Sequence, residues 1–284
     1  MLQQRDVIGV FDSGVGGLSV LRHIRTAYPH GNLIYFADQA NVPYGSQSVE
    51  DIRRFSEAIS QFLLDQGART IVVACNTASA AALTYLRDTF PNVPIVGMEP
   101  AVKPAALMTE TGKVGVLATP ATFASPRYSS LMTRFAENVT VYEDPCVGLV
   151  SLIENGRLNA PETTDLLNDV LQPMLDAGVD TLVLGCTHYP FVQPLIEEIA
   201  AAHSDGRSVA IIDPAPAVAR QVGRVLSQTG LLKNESISGS VHLFTTQDTG
   251  TLGLLAERAL GEKLPVTQVR WHGDTLETAG LDSL

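Results

Sequence analysis

Cysteine is scarce in this chain, basic residues are outnumbered, and nowhere does the sequence become uniformly apolar. The three cysteines, an odd number without CxxC spacing, give no basis for a disulfide framework or a zinc site and fit reduced thiols, so no metal is expected. Lys and Arg number 19 against 30 Asp and Glu, a formal charge of −11, so the surface as a whole repels phosphate backbones and anionic membrane. Nucleic acid and membrane are thereby set aside as partners. A small anionic substrate stays admissible, because backbone N–H groups and helix N-termini can hold a carboxylate inside an acidic protein. No apolar stretch approaches the roughly 18 residues of a membrane span. The opening Met1-Leu-Gln-Gln-Arg-Asp6 offers neither a signal-peptide core nor a transit peptide, and the expected location is the cytoplasm. Aromatic residues make up only 6% of the chain beside a 45% apolar share, which suits an ordinary globular protein. Its 284 residues allow one large or two medium domains.

Apolar runs suited to buried strands are present at 7–11, 33–37, 70–74, 94–97, 113–118, 139–142, 181–185 and 209–212. Helical periodicity separates them, as at 49–66, 78–88, 162–177, 190–203 and 215–228. That alternation predicts βαβ units, an α/β fold with a mainly parallel sheet. Ligands of open parallel sheets bind beyond the carboxyl ends of the strands. Asp12, Ser13, Asp38, residues 41–46, Cys75 to Thr77, Glu99, Thr119 and Cys186 to His188 all fall at such ends.

Two of those strand ends read as copies of one another. Thr-Ile-Val-Val-Ala-Cys75-Asn-Thr and Thr-Leu-Val-Leu-Gly-Cys186-Thr-His each stop a β-branched run at a thiol, with the cysteines 111 residues apart. A second pair, Ile8-Gly-Val-Phe-Asp12-Ser13-Gly-Val-Gly16 and Val114-Gly-Val-Leu-Ala-Thr119-Pro-Ala-Thr122, recurs at a spacing of 106. Either the chain is duplicated into two similar lobes, or these are strands of one α/β sheet that look alike. The Pro-rich stretch Gly97-Met-Glu-Pro-Ala-Val-Lys-Pro104 is expected to form a hinge, with a second crossing expected near 202–208. Lobe one would then comprise 1–98 and 207–284, and lobe two 99–206.

Each motif admits a bland interpretation beside a chemical one. Asp12-Ser-Gly-Val-Gly-Gly17 lacks the dinucleotide spacing, and its Asp or Ser either caps a helix or faces a ligand. Residues 41–46, Asn-Val-Pro-Tyr44-Gly45-Ser, form either a binding loop with Tyr44 offering ring and hydroxyl, or a surface turn before a helix capped by Ser48 and Asp51. A lone cysteine usually packs as a small hydrophobe. Cys75 and Cys186 depart from that pattern because each follows a buried strand and precedes a helix start, where the helix dipole favours a thiolate. Cys146 lacks this context and is expected to be structural. His188 is either a core or helix-start residue or a proton relay for the thiol two positions before it.

Two thiols on opposite faces of an amino acid can remove and return its α-proton in both directions. An ordinary thiol pKa near 8.5 lets one stay protonated while the other is thiolate. The ordered set Asp12-Ser13-Gly-Val-Gly-Gly17, Asn41-Val-Pro43-Tyr44-Gly45, Cys75-Asn76-Thr77-Ala-Ser, Glu99-Pro-Ala-Val-Lys-Pro and Gly-Cys186-Thr187-His188-Tyr-Pro resembles the bacterial glutamate racemases, over about residues 7–214.

The resemblance implies two similar open parallel-sheet α/β lobes of the aspartate/glutamate racemase type, with the active site in the cleft between them. It also implies cofactor-independent interconversion of L- and D-glutamate, an isomerase activity supplying D-glutamate to peptidoglycan. By similarity, Cys75 takes the proton from D-glutamate and Cys186 from L-glutamate. Asp12 and His188 match groups that assist these thiols, and Glu154 matches a further catalytic-site residue. Ser13, Tyr44, Gly45, Asn76, Thr77, Thr119, Thr122 and Thr187 match the substrate-binding set, with Asp12 and His188. Phe191 and Val192 depart slightly from the family pattern after the second motif. The assembly expected is a homodimer, with a monomer as alternative. Competing assignments are an aspartate or hydantoin racemase of the same superfamily and, from another class, a regulatory protein that binds DNA gyrase. The chain beyond about residue 230 carries no motif.

Overall fold

The computed structural model describes residues 7–203, 206–231 and 238–278. The sequence-based reading of residues 1–6 lies outside them, as do residues 204 and 205 of the expected second crossing. The chain divides into two compact units, one comprising the chain up to Met98 with that from Ala215 onward, the other Glu99–Pro214.

The first unit holds strands β1 (Val7–Asp12), β2 (Asn32–Ala37), β3 (Ala68–Val73) and β4 (Ile95–Val96). The second holds β5 (Lys113–Leu117), β6 (Thr140–Asp144), β7 (Thr181–Leu184) and β8 (Ala210–Ile212). The chain then returns to the first unit with β9 (Val241–Thr245), β10 (Val266–His272) and β11 (Thr275–Thr278).

The first sheet runs β11-β10-β9-β2-β1-β3-β4 and is parallel except for the β10–β11 hairpin. The second runs β6-β5-β7-β8, all parallel. Each unit therefore contains a four-stranded core in which its first strand lies between its second and third, with the fourth outside. β1 corresponds to β5 and β3 to β7, so Asp12 and Thr119 end equivalent strands, as do Cys75 and Cys186. That shared order favours two similar lobes over chance likeness of strands. The expected limit at 206/207 moves to 214/215, because β8 pairs with β7 and so completes the second sheet before the chain crosses back.

Packing follows from the pattern of apolar residues. In the helix Val49–Asp65, Ile52, Phe55, Ile59, Phe62 and Leu63 recur at helical spacing and are buried against Phe11, Phe36, Ile71 and Val73 of the first sheet. Burying one such side chain contributes roughly 1.5–3 kcal/mol. In the second unit Leu167, Leu171, Met174 and Leu175 of the helix Pro161–Asp176 pack over Leu182 and Leu184. These faces fix the sheets, and the sheets fix the strand ends at which the reactive side chains stand. Among the described residues, no helix is long and apolar enough to cross a membrane.

Candidate active site

In the first unit the carboxyl ends of β2, β1 and β3, adjacent in that order, carry Asp38, Asp12 with Ser13, and Cys75. The helix Asn76–Thr89 begins at once after Cys75, whose Sγ accepts a hydrogen bond from the Ala78 N–H at 3.4 Å. Sulfur thus fills the capping role usually taken by a side-chain oxygen, and the helix starts two residues earlier than its apolar periodicity suggests. The same helix end favours negative charge on that sulfur.

The Cys75 thiol also points to Ser13 Oγ at 3.8 Å, and Ser13 Oγ reaches Asp12 Oδ1 at 3.4 Å. Thiol, hydroxyl and carboxylate stand in a row. Asp12 is fixed from the other side by the Gly17 N–H, 2.7 Å from Oδ2, so it holds the turn that opens the next helix as well as facing Ser13. Glycine is required at 17 because a Cβ there would lie 2.8 Å from Asp12 Cβ and 3.0 Å from the Tyr35 ring.

Asn76 and Thr77 open the helix behind the thiol, both buried. Neither the amide nitrogen nor the oxygen of the Asn76 side chain has a hydrogen-bond partner among the described residues. Buried polar atoms of native proteins are nearly always paired, so an unpartnered amide beside a thiol is a candidate ligand contact.

Tyr44 departs from expectation in one respect. Its hydroxyl donates to Asp38 Oδ2 at 2.7 Å and its side chain is buried, so the hydroxyl is used inside the protein. Burial, and the neighbouring Asp38 carboxylate, raise its pKa well above the usual phenol value and keep it protonated. What the Tyr44–Gly45 turn can offer a ligand is chiefly backbone. Ser48 does cap the following helix, accepting from the Asp51 N–H at 3.1 Å.

In the second unit β5 and β7 are neighbours and end in Thr119 and Cys186. Their ends can close up because residue 185 is glycine, where a Cβ would meet Ala118 Cβ and the Leu117 carbonyl oxygen at 2.8 Å. Cys186 Sγ lies 3.6 Å from His188 Nδ1, and His188 Nε2 lies 2.5 Å from Glu154 Oε1, at the end of the helix Leu149–Glu154. Burial alone would lower the His188 pKa, but hydrogen bonds and charge from Cys186 and Glu154 prevail and hold it well above the usual imidazole value.

This second row, thiol, imidazole and carboxylate, parallels thiol, hydroxyl and carboxylate in the first unit, with a cationic link in place of a neutral one. Thr187 is buried beside Cys186. Thr119 and Thr122 join through their hydroxyls at 3.0 Å, and Thr119 caps the short helix Pro120–Phe123. Cys146 is buried in the same apolar core as Cys186, with its N–H bonded to Asp144 Oδ1 at 2.7 Å and its thiol pKa pushed up by burial.

Two residues of the Asp38 cluster carried no sequence signal. Thr246 and Trp271 both hydrogen-bond to that carboxylate across more than 200 residues of chain. Among the described residues, no group of three or more His, Cys, Asp or Glu side chains is arranged to hold a metal ion.

Each of the two α/β sheets thus ends in a thiol with an acid-base row behind it. The family model described as Asp/Glu/Hydantoin racemase matches residues 9–222. A glutamate racemase of Pseudomonas aeruginosa is 55% identical over 232 residues, covering 82% of this chain and 86% of that protein. The crystal structure of Escherichia coli glutamate racemase in complex with L-glutamate and activator UDP-MurNAc-ala superposes with a TM-score of 0.81 at 31% identity, covering 97% of this chain and 100% of that one. That of Francisella tularensis glutamate racemase in complex with D-glutamate gives 0.78 at 30% identity, covering 95% and 98%. The chain belongs to the Asp/Glu/Hydantoin racemase family, among its glutamate racemases.

Proposed function

We propose that the protein interconverts L- and D-glutamate without a cofactor, using Cys75 and Cys186 as its two bases. The observation that carries this is the pairing of equivalent strand ends: a helix-capped thiol backed by Ser13 and Asp12 in one unit, and a thiol backed by His188 and Glu154 in the other. Glutamate as substrate is supported by the relatives at 55% identity and by the two glutamate-bound structures above.

In the reaction, one cysteine thiolate takes the proton from Cα, leaving the electron pair delocalised into the carboxylate. The other cysteine delivers its S–H proton to the opposite face of Cα. Thiol and thiolate have then exchanged places, and no electrons have left the system. Cys75 acts on D-glutamate and Cys186 on L-glutamate. Asp12, through Ser13, and Glu154, through His188, set the protonation of their thiols. Asn76, whose side-chain amide has no hydrogen-bond partner among the described residues, binds the substrate together with Ser13, Thr77, the Tyr44–Gly45 backbone, Thr119, Thr122 and Thr187. The product serves peptidoglycan synthesis in the cytoplasm, and the assembly proposed is a homodimer, with a monomer as the alternative.

Circular dichroism of L-glutamate incubated with the protein, without pyridoxal phosphate or added metal, tests the assignment. The signal is expected to decay to zero, while L-aspartate is unchanged. A stable glutamate signal, or decay with aspartate alone, would overturn it.

A further inference from the structure

We infer that Trp271 is a positioning residue for this reaction, holding the Tyr44–Gly45 turn in its binding position through Asp38; the inference rests on the racemase assignment above. Asp38 is buried at the end of β2 and accepts hydrogen bonds from four side chains. Its Oδ2 receives Tyr44 Oη at 2.7 Å and Asn41 Nδ2 at 2.9 Å, both from the loop. Its Oδ1 receives Trp271 Nε1 at 2.8 Å from β10 and Thr246 Oγ1 at 3.0 Å from the end of β9. Asn41 Nδ2 also reaches Oδ1, at 3.2 Å, so one carboxylate ties the loop to the last strands of the sheet.

The aromatic rings close the same circuit. Phe55 stacks on Tyr44 with centroids 5.7 Å apart and on Trp271 at 5.5 Å. Further stitches run alongside: the Ala40 N–H donates to Thr246 Oγ1 at 2.9 Å, and Gln247 Nε2 to the Gln39 carbonyl at 2.9 Å. Residues 38–44 are thus held from beneath by chain that lies more than 200 residues away in sequence. A buried carboxylate needs its donors to stay ionised, and burial is what raises the Asp38 pKa. Loss of the Trp271 donor removes the shortest of the hydrogen bonds to Oδ1 and loosens the grip on Tyr44 and Asn41. The expected consequence is weaker substrate binding, with the thiols themselves untouched.

The test compares steady-state kinetics and melting of three variants. Trp271→Phe keeps the ring against Phe55 but removes the donor. Thr246→Val removes a second donor to the same oxygen, together with the acceptor of the Ala40 N–H. Leu276→Ala removes packing at the register neighbour of Trp271 while leaving both donors in place. Trp271→Phe and Thr246→Val should each raise KM for glutamate about 10-fold, the effect of losing one hydrogen bond to a charged group. Their kcat should stay within about threefold of the parent. Leu276→Ala should lower Tm with KM unchanged. Trp271→His, which restores a ring N–H, should recover part of the lost affinity. An unmoved KM in Trp271→Phe, or an equal rise in Leu276→Ala, would overturn the inference alone. Absence of turnover in the unmodified protein would overturn the racemase assignment and this inference with it.

Discussion

Replacing His188 by Asn, and Glu154 by Gln, probes the proton machinery of the second unit with little change in volume. The His188 ring lies 3.6 Å from the Cys186 sulfur and is pinned at its other nitrogen by Glu154. Opposite unit charges at about that distance attract by roughly 4–5 kcal/mol at an effective dielectric near 20. Part of that is offset by the cost of burying both charges, leaving a loss of about 10²- to 10³-fold in kcat/KM for His188→Asn. Glu154→Gln keeps the imidazole but weakens a charge-assisted hydrogen bond of about 1.5–3 kcal/mol, which corresponds to roughly 10- to 100-fold.

The pH dependence has a defined sign. Glu154 is one of the groups raising the His188 pKa, so in Glu154→Gln the imidazolium is lost at lower pH and the alkaline limb of activity moves down. For stability, a raised folded pKa means the contribution is fully present below about pH 6.5 and is lost as pH rises through the folded value. Because the two enantiomers have equal free energy, kcat/KM must fall equally in both directions. The assay is polarimetric turnover of L- and D-glutamate across pH. An unshifted alkaline limb in Glu154→Gln, or a loss under about threefold in His188→Asn, would refute the proposed role.

Three further outcomes are expected. Cys75→Ala and Cys186→Ala should each abolish racemisation in the same assay, whereas Cys146→Ala retains most of it, since Cys146 stands at neither of the two equivalent strand ends. Gly17→Ala should destabilise the protein by about 1–3 kcal/mol, read as a lower Tm, because its Cβ would collide with Asp12 and Tyr35; it should also lower activity by displacing Asp12. Thiol alkylation should inactivate and glutamate should protect, while dialysis against EDTA leaves the rate unchanged.

Much of the fold was legible because buried parallel strands announce themselves by local apolar runs. The eight strands expected between residues 7 and 212 are present within a few residues, and the helix expected at 215–228 has those bounds. The strands β9 to β11 are less legible: β9 is largely buried, but His242 interrupts its apolar run. Val266–His272 is only partly buried and mixes polar with apolar residues, so its sequence lacks the continuous run of a central strand. The crossing was misplaced because β8 is short, and only its pairing with β7 assigns it to the second unit.

At the candidate site, Cys75 and Cys186 stand out locally, as strand-end thiols before helix starts. Glu154 does not: its partner His188 lies 34 residues away, and only family resemblance pointed to it. The Asp38 cluster was beyond reach for the same reason, and with it the fact that the Tyr44 hydroxyl is used within the protein.

The two-base mechanism is tested most directly by the hydrogen found at Cα when turnover is run in D₂O and stopped at low conversion. If one thiol removes the α-proton and the other supplies a solvent-derived one, product carries deuterium while unreacted substrate remains largely protiated. Mass spectrometry of the separated enantiomers reads both. Substantial protium in the product would mean that a single base carries the original proton across, and would contradict the opposed roles of Cys75 and Cys186 even if both cysteines proved essential.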